Sequence, residues 1–226
     1  MSKIIITGSM GLIGTEVTRY MKQNHDVLEL DLQLGHDLAD ELFVREWFKN
    51  NRGDFLVNLF ALNDHITKDR NSEFSNMFNV TLDSFRQYME LNLVSLFSVC
   101  REFARNNTFG GIVNFSATNG LVSPLPEMYP KNKKHIAYGI SKAGVIQMTR
   151  YLAVHLAPKI RVNCIAPGGV LKDQPEEFVE EYGIHTPLKR MMNVNEINGL
   201  VEYLCSDKSS YVTGSTFVID GGWTSQ

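Results

Sequence analysis

Ile4, Ile5, Ile6 and Thr7 form a β-branched run that stops at Gly8. Such a run reads as a short buried strand, Lys3–Thr7. Glycines recur at Gly11 and Gly14, and Ile13, Val17, Tyr20 and Met21 then keep helical spacing. A strand, a glycine loop and a helix in that order leave few folds open. Glycine belongs where backbone turns tightly, meets a ligand closely or lets a helix pack onto a strand. The helix N-terminus beyond it presents unpaired N–H groups to an anion. The stretch therefore reads as a loop that holds a pyrophosphate, with Gly8, Met10, Gly11, Leu12 and Ile13 as its contacts.

The rest of the chain continues the alternation. A strand over Val27–Leu30 ends in Asp31, 17 residues after Gly14. An acidic side chain there hydrogen-bonds an adenosine ribose hydroxyl and repels a ribose phosphate. The residues that follow, Leu32, Gln33 and Leu34, bring no cation. NAD is thus expected over NADP; the competing reading of Asp31 is a plain turn cap. A helix is expected over Glu41–Lys49 and a strand over Phe55–Ala61. Asn63–Asn79 is polar and reads as a surface excursion. A long helix follows over Leu82–Arg105, whose apolar stripe contains one polar member, Asn92. Next come a strand over Gly111–Ser116, a helix running to Leu156 and a strand over Ile160–Ala166 stopped by Pro167. A helix over Glu196–Cys205 and a strand over Thr216–Ile219 complete the chain. Alternation with short turns and no linker or repeat predicts one α/β domain over 1–226. Its architecture is a Rossmann-type, doubly wound parallel sheet with helices on both faces.

Composition narrows the function classes. A net charge of -3 gives no case for nucleic acid or an anionic membrane surface. No apolar segment reaches spanning length, and the short N-terminal apolar run is no secretory signal. Cys100, Cys164 and Cys205 are far apart and set in apolar runs, which suits free thiols in a reducing, cytoplasmic setting. Histidines and cysteines show no metal-ligand spacing, so no metal is expected.

The chemistry-bearing pair is Tyr138 and Lys142, four residues apart and so one turn apart on one helix face. A free phenol has a pKa of about 10, and a neighbouring ammonium favours its ionised form. Together they make a general acid/base, provided that a reacting group lies beside them.

These pieces together resemble the short-chain dehydrogenase/reductase family along nearly the whole chain. The motifs are the Thr7–Gly14 loop, Asp37-Leu38, Asn58, Asn92, Tyr138 with Lys142, and Pro167-Gly168-Gly169-Val170. The tail adds Thr186-Pro187-Leu188, Tyr211-Val212-Thr213-Gly214 and Ile219-Asp220-Gly221-Gly222. The resemblance implies that Asp37 and Leu38 contact adenine, and that Asn58, Pro167, Gly168 and Val170 line the cofactor. It also implies that Lys142 binds the nicotinamide ribose and that Asn92 orders a water linking Lys142 to solvent. Tyr138 then passes a proton while hydride moves between NAD and a secondary alcohol or carbonyl. A homodimer or homotetramer joined through the helices of Asn92 and Tyr138 is implied as well.

Three departures stand out. The glycines at 8, 11 and 14 follow the spacing of the family's extended, sugar-nucleotide branch, whereas the tail does not. Gly120–Tyr138 is longer than usual and carries Pro124, Pro126, Pro130, Lys131, Lys133 and Lys134, which suggests a lid, a subunit contact or an attraction for anions. Ala117 stands where the family has the serine that holds the substrate carbonyl, leaving Ser116, Thr118 or a water to supply the hydroxyl. The alternative function is a cofactor-binding protein with weak or no redox activity, acting as a sensor or assembly partner. Leu171–His185 is expected to form the substrate lid.

Overall fold

The computed structural model describes residues 1–63, 77–129 and 134–226. Most of the polar excursion at 63–79, with Pro130, Lys131 and Lys133 of the long segment, lies outside the described residues. Six parallel strands form one sheet in the order β2-β1-β3-β4-β5-β6. They are β1 (Lys3–Thr7), β2 (Asp26–Leu30), β3 (Phe55–Asn58), β4 (Gly110–Phe115), β5 (Ile160–Pro167) and β6 (Thr216–Ile219). The chain runs outward from β1 to β2, then crosses back to place β3 on the other side of β1. This reversal opens a crevice at the carboxyl ends of β1 and β3, where such sheets hold ligands.

Strand side chains alternate between two cores, as a period of two requires. Ile5, Leu56, Ile112 and Val162 pack with Phe48 of α2 (Glu41–Asn50), Phe103 of α4 (Leu96–Asn106) and Val145 of α5 (Ile136–Leu156). Ile4, Ile6, Val57, Val113 and Ile165 face the other way. They meet Val17 and Met21 of α1 (Leu12–Met21) and Val201 and Leu204 of α7 (Asn198–Leu204). Each fully buried aliphatic or aromatic side chain contributes about 1.5–3 kcal/mol relative to exposure. Both faces of every inner strand are therefore held.

The differences from sequence expectation have local causes. The third strand ends at Asn58 instead of Ala61, because Leu59 and Phe60 bend across the glycine loop: a Cβ on Gly8 would lie 2.4 Å from the Phe60 nitrogen. The expected helix over Leu82–Arg105 is α3 (Leu82–Met89) joined to α4 by a π-helical turn, Glu90–Ser95. Ser95 Oγ donates to the Glu90 carbonyl five residues back at 3.0 Å, supporting the widened turn. A π turn shifts the phase of a helical stripe. Tyr88, Asn92, Ser95, Leu96 and Val99 are consequently all buried. The expected helix at Glu196 starts as a 3-10 turn, Val194–Ile197, with a capping box between Asn193 and Glu196. Within the expected lid lies α6 (Glu176–His185). Among the described residues no helix is long and apolar enough to cross a membrane, and no cluster of His, Cys, Asp and Glu has the geometry for a metal.

Candidate active site

The glycine loop is shaped by absent side chains. Gly8 sits at φ +68°, and a Cβ on Gly14 would lie 1.9 Å from the Gly8 carbonyl oxygen. Gly11 caps α1 without contributing a side chain, so the first N–H groups of the helix face the cavity lined by Gly11–Gly14. Ser9 Oγ is buried in the same loop with no partner among the described residues. An open helix N-terminus, a surface that no Cβ obstructs and an unsatisfied hydroxyl fit a pyrophosphate.

Asp31 is tied to this loop. Its carboxylate accepts from the Met10 N–H at 3.0 Å and from the Gln33 N–H at 2.9 Å, so it caps the turn that follows β2 and braces the loop at once. Asp37 accepts from the Ala39 N–H at 2.9 Å, while the Leu38 side chain is packed in the core. The Asn58 side chain is held within the sheet. Its amide donates to Asn114 Oδ1 at 2.9 Å and its carbonyl accepts from Thr7 Oγ1 at 3.0 Å. This side chain is a buried cross-link between β1, β3 and β4 and is absent from the cavity lining.

Tyr138 and Lys142 lie on α5, both buried, and line the same cavity as Gly11–Gly14, Pro167, Gly168 and Val170. Lys142 Nζ donates to the Phe115 carbonyl at 2.8 Å and stands 5.9 Å from the Tyr138 ring centre. The expectation that this ammonium lowers the phenol pKa is not met. Burial, with a smaller contribution from Tyr129, pushes the Tyr138 phenol well above its ordinary value. Burial likewise pushes Lys142 down to about 8. Desolvation disfavours both charged forms, and at this distance the pair does not offset it.

Asn92 sits in the π turn. Its amide accepts from the Leu62 N–H at 2.6 Å and donates to the Leu62 carbonyl at 3.0 Å and to Ser141 Oγ at 3.1 Å. Ser116 Oγ donates to the Lys142 carbonyl at 2.7 Å, so that hydroxyl holds α5. Thr118 and Ala117 are both on the lining.

Sequence reasoning missed two groups. His135 caps α5: its Nδ1 accepts from the Ala137 N–H at 3.1 Å, its Nε2 lies 2.7 Å from Ser84 Oγ, and its ring stacks on Tyr88 at 4.3 Å. An accepting Nδ1 makes this the neutral tautomer with the proton on Nε2. The available signal was a histidine immediately before an apolar helix with no Ser, Thr, Asp or Asn beside it. The second group is an aromatic wall. Tyr182 stacks on Trp223 at 4.6 Å and Tyr129 meets Phe178 at 5.8 Å. Tyr182 Oη also accepts from the Gly169 N–H at 2.6 Å. These four rings come from three separate segments; Phe178 and Tyr182, one helical turn apart, fall within Leu171–His185, the stretch expected as a lid, whereas Tyr129 and Trp223 carry no such signal.

The lowered pKa of Lys142 has a sign that can be tested. From about pH 8 to its ordinary value near 10.5, the unfolded chain holds a proton that the folded chain lacks, so stability rises with pH in that window. The stability of the wild type relative to Lys142→Met should therefore improve across that window by on the order of 3 kcal/mol in urea titrations. A difference that stays flat with pH would rule out a lowered Lys142.

The model of the family described as Enoyl-(Acyl carrier protein) reductase matches residues 13–224. A 3-oxoacyl-(acyl-carrier-protein) reductase from Aquifex aeolicus is 29% identical, with 98% of this chain and 87% of that protein covered. A short-chain type dehydrogenase/reductase from Sinorhizobium fredii is 32% identical over 98% of this chain but only 43% of its own length. The chain likewise spans 49% of a flagellin modification protein from Campylobacter coli, about half the length of such relatives. Among solved structures, a short-chain dehydrogenase from Leptospira borgpetersenii with bound NAD+ is 30% identical with a TM-score of 0.83, over 98% of this chain and 92% of that one. A 4-hydroxyisoleucine dehydrogenase complexed with NADH is 25% identical with a TM-score of 0.83 over the full length of both chains. With its glycine loop, parallel sheet and Tyr138–Lys142 helix, the chain belongs to the short-chain dehydrogenase/reductase family.

Proposed function

We propose that this chain is a nicotinamide-dependent oxidoreductase that interconverts a secondary alcohol and a carbonyl, with Tyr138 as the general acid/base. The observation that carries the reading is one cavity lined by the α1 N-terminus, the Pro167–Val170 turn, Tyr138 and Lys142. The NAD+ and NADH in the two solved relatives support a dinucleotide in it. When bound, a nicotinamide dinucleotide supplies or accepts the hydride. The N–H groups of Leu12 and Ile13 and the Ser9 hydroxyl hold the pyrophosphate, and Pro167, Gly168 and Val170 shape the nicotinamide end.

In the reducing direction the carbonyl π bond breaks, its carbon gains hydride, and its oxygen takes the phenolic proton of Tyr138. Burial keeps this phenol protonated, so a proton is present to give, and the same burial makes it a weaker acid than a free phenol. Lys142, held on the Phe115 carbonyl, places a cation beneath the ring, where it favours the phenolate that donation leaves. Asn92 acts as a positioning residue, tying Ser141 of the catalytic helix to Leu62. Ser116 is engaged by the Lys142 carbonyl, so Thr118 is the remaining hydroxyl that can steady the carbonyl oxygen.

A second reading, a cofactor-binding protein with little turnover, is favoured by Ala117 on the lining and by the engaged Ser116. Tyr138→Phe separates the two. It should lower kcat by more than a hundredfold in NADH-coupled assays and leave the Kd for NADH within about threefold, because the phenol proton serves chemistry and not cofactor binding. Parallel loss of both would refute the role of Tyr138. Wild type that binds NADH but turns over no carbonyl would establish the second reading.

Asp31, fixed on the loop by Met10, sets cofactor preference. NAD should bind at least tenfold more tightly than NADP, and Asp31→Asn should narrow that ratio, since a carboxylate near a ribose phosphate costs several kcal/mol at intermediate dielectric. Equal wild-type affinities would overturn this.

The chain also assembles with itself through α4, α5 and the π turn. These carry the outward apolar residues Val94, Phe97, Ile140, Tyr151 and Val154, of which Val154 is 76% exposed. Exposed apolar residues on these elements suit a symmetric interface. Sedimentation should give a dimer or tetramer; a monomer at micromolar concentration would exclude it.

A further inference from the structure

We propose that the substrate carries a flat apolar ring, and that this ring seats against an aromatic wall built jointly by α6, the C-terminal tail and the long segment ahead of α5. This rests on the oxidoreductase reading of the same cavity. Four rings follow one another along the wall. Tyr129 meets Phe178 at 5.8 Å, Phe178 meets Tyr182 at 6.2 Å, and Tyr182 stacks on Trp223 at 4.6 Å. All four line the cavity that contains Tyr138. The row starts near the reacting group, since the Tyr129 phenol acts on that of Tyr138, in smaller measure than burial. Met128, Leu125 and Val179 pack in the same cluster without lining the cavity, so they back the rings. Tyr129, Phe178 and Trp223 are only half-buried, which leaves ring surface open on the cavity side.

The wall is also fixed before a ligand arrives. A Cβ on Gly169 would lie 2.7 Å from Tyr182 Cε2, so the missing side chain lets this ring lie on the turn after β5. The Gly169 N–H donates to Tyr182 Oη at 2.6 Å, and Thr186 Oγ1 donates to the Tyr182 carbonyl at 2.7 Å. Fixed ring faces favour a rigid ring that stacks on them or meets them edge-on. A flexible chain loses rotamer freedom against the same surface. A polyol fits worse still, because its hydroxyls need partners when buried. Gln174, which lines the cavity ahead of α6, is already engaged: its amide donates to the Val170 carbonyl at 2.9 Å and accepts from the Lys172 N–H at 2.8 Å.

The test compares 4-phenylbutan-2-one with 4-cyclohexylbutan-2-one, following NADH oxidation in wild type, Phe178→Leu and Trp223→Leu. The two ketones share one reacting group and differ in a flat against a puckered ring. The cyclohexyl compound is the more apolar, so a preference for phenyl reports ring faces and not apolarity. Wild type should favour the phenyl ketone by roughly five- to tenfold in kcat/KM, through KM, as aromatic pairing allows. Each leucine variant should bring the ratio toward one and leave the Kd for NADH within about threefold. A cyclohexyl ketone used as well as the phenyl one, or a ratio unchanged in both variants, overturns the ring site while leaving the oxidoreductase reading intact. A parallel loss of NADH affinity assigns the wall to the cofactor and overturns it too. If neither ketone oxidises NADH, calorimetric titration of the protein with the same pair decides. Tighter binding of the phenyl compound, lost in Phe178→Leu, supports the ring site in a protein without this chemistry. Equal binding of the two, or none, removes it.

Discussion

Everything at the ligand end of this molecule depends on two places where a methyl group cannot be. A Cβ on Gly8 would strike the backbone of Phe60, and a Cβ on Gly14 would strike the Gly8 carbonyl. These contacts bring the end of β1, the start of α1 and the exit from β3 together more closely than side chains allow. The crevice at the strand reversal is narrow for that reason, and the α1 N-terminus points into it. Asp31 then braces the loop through Met10, so the second strand helps to hold the first turn.

A second layer of buried polar groups carries this order across the sheet to the catalytic helix. Thr7, Asn58, Asn114 and Thr149 form a chain of side-chain hydrogen bonds from β1 through β3 and β4 to α5. Ser116 and Asn92 fasten the same helix from either side, at the Lys142 carbonyl and at Ser141. Buried networks of this kind stabilise only when every member is satisfied, and then they specify one arrangement. The result is a tyrosine and a lysine in a dry setting. Their ionisation is governed more by the loss of water than by each other.

Patterns that act locally were legible in the chain. The β-branched runs at Ile4–Ile6 and Ile160–Ala166, the glycine loop and the one-turn spacing of Tyr138 and Lys142 follow from period and residue type. The strand Thr216–Ile219 was bounded as observed. What escaped depends on three-dimensional company. The π turn at Glu90–Ser95 needs the contacts of Asn92 and Ser95 to pay for its poorer geometry. The side-chain partners of Asn58, Thr7 and Asn114, are more than fifty residues away, so its place in a buried network could not be read from spacing. The sign of the Tyr138 shift could not be read from charge alone, since burial outweighs it. The aromatic wall joins Phe178 and Tyr182, one turn apart on α6, to Tyr129 and Trp223 from distant segments, and no periodicity links those two to the helix.

The hydrogen bond from the Gly169 N–H to Tyr182 Oη joins two parts of the cavity usually thought of separately. Tyr182 belongs to α6 on the aromatic wall, and Gly169 belongs to the turn that follows β5. The turn is held as well by backbone bonds between Gly169 and Met192 and between Leu171 and Met192, so α6 is fixed to a segment that is itself fixed. One phenol thus anchors α6 to the turn that follows β5, so the aromatic wall and the end of that strand keep a fixed spacing across the cavity.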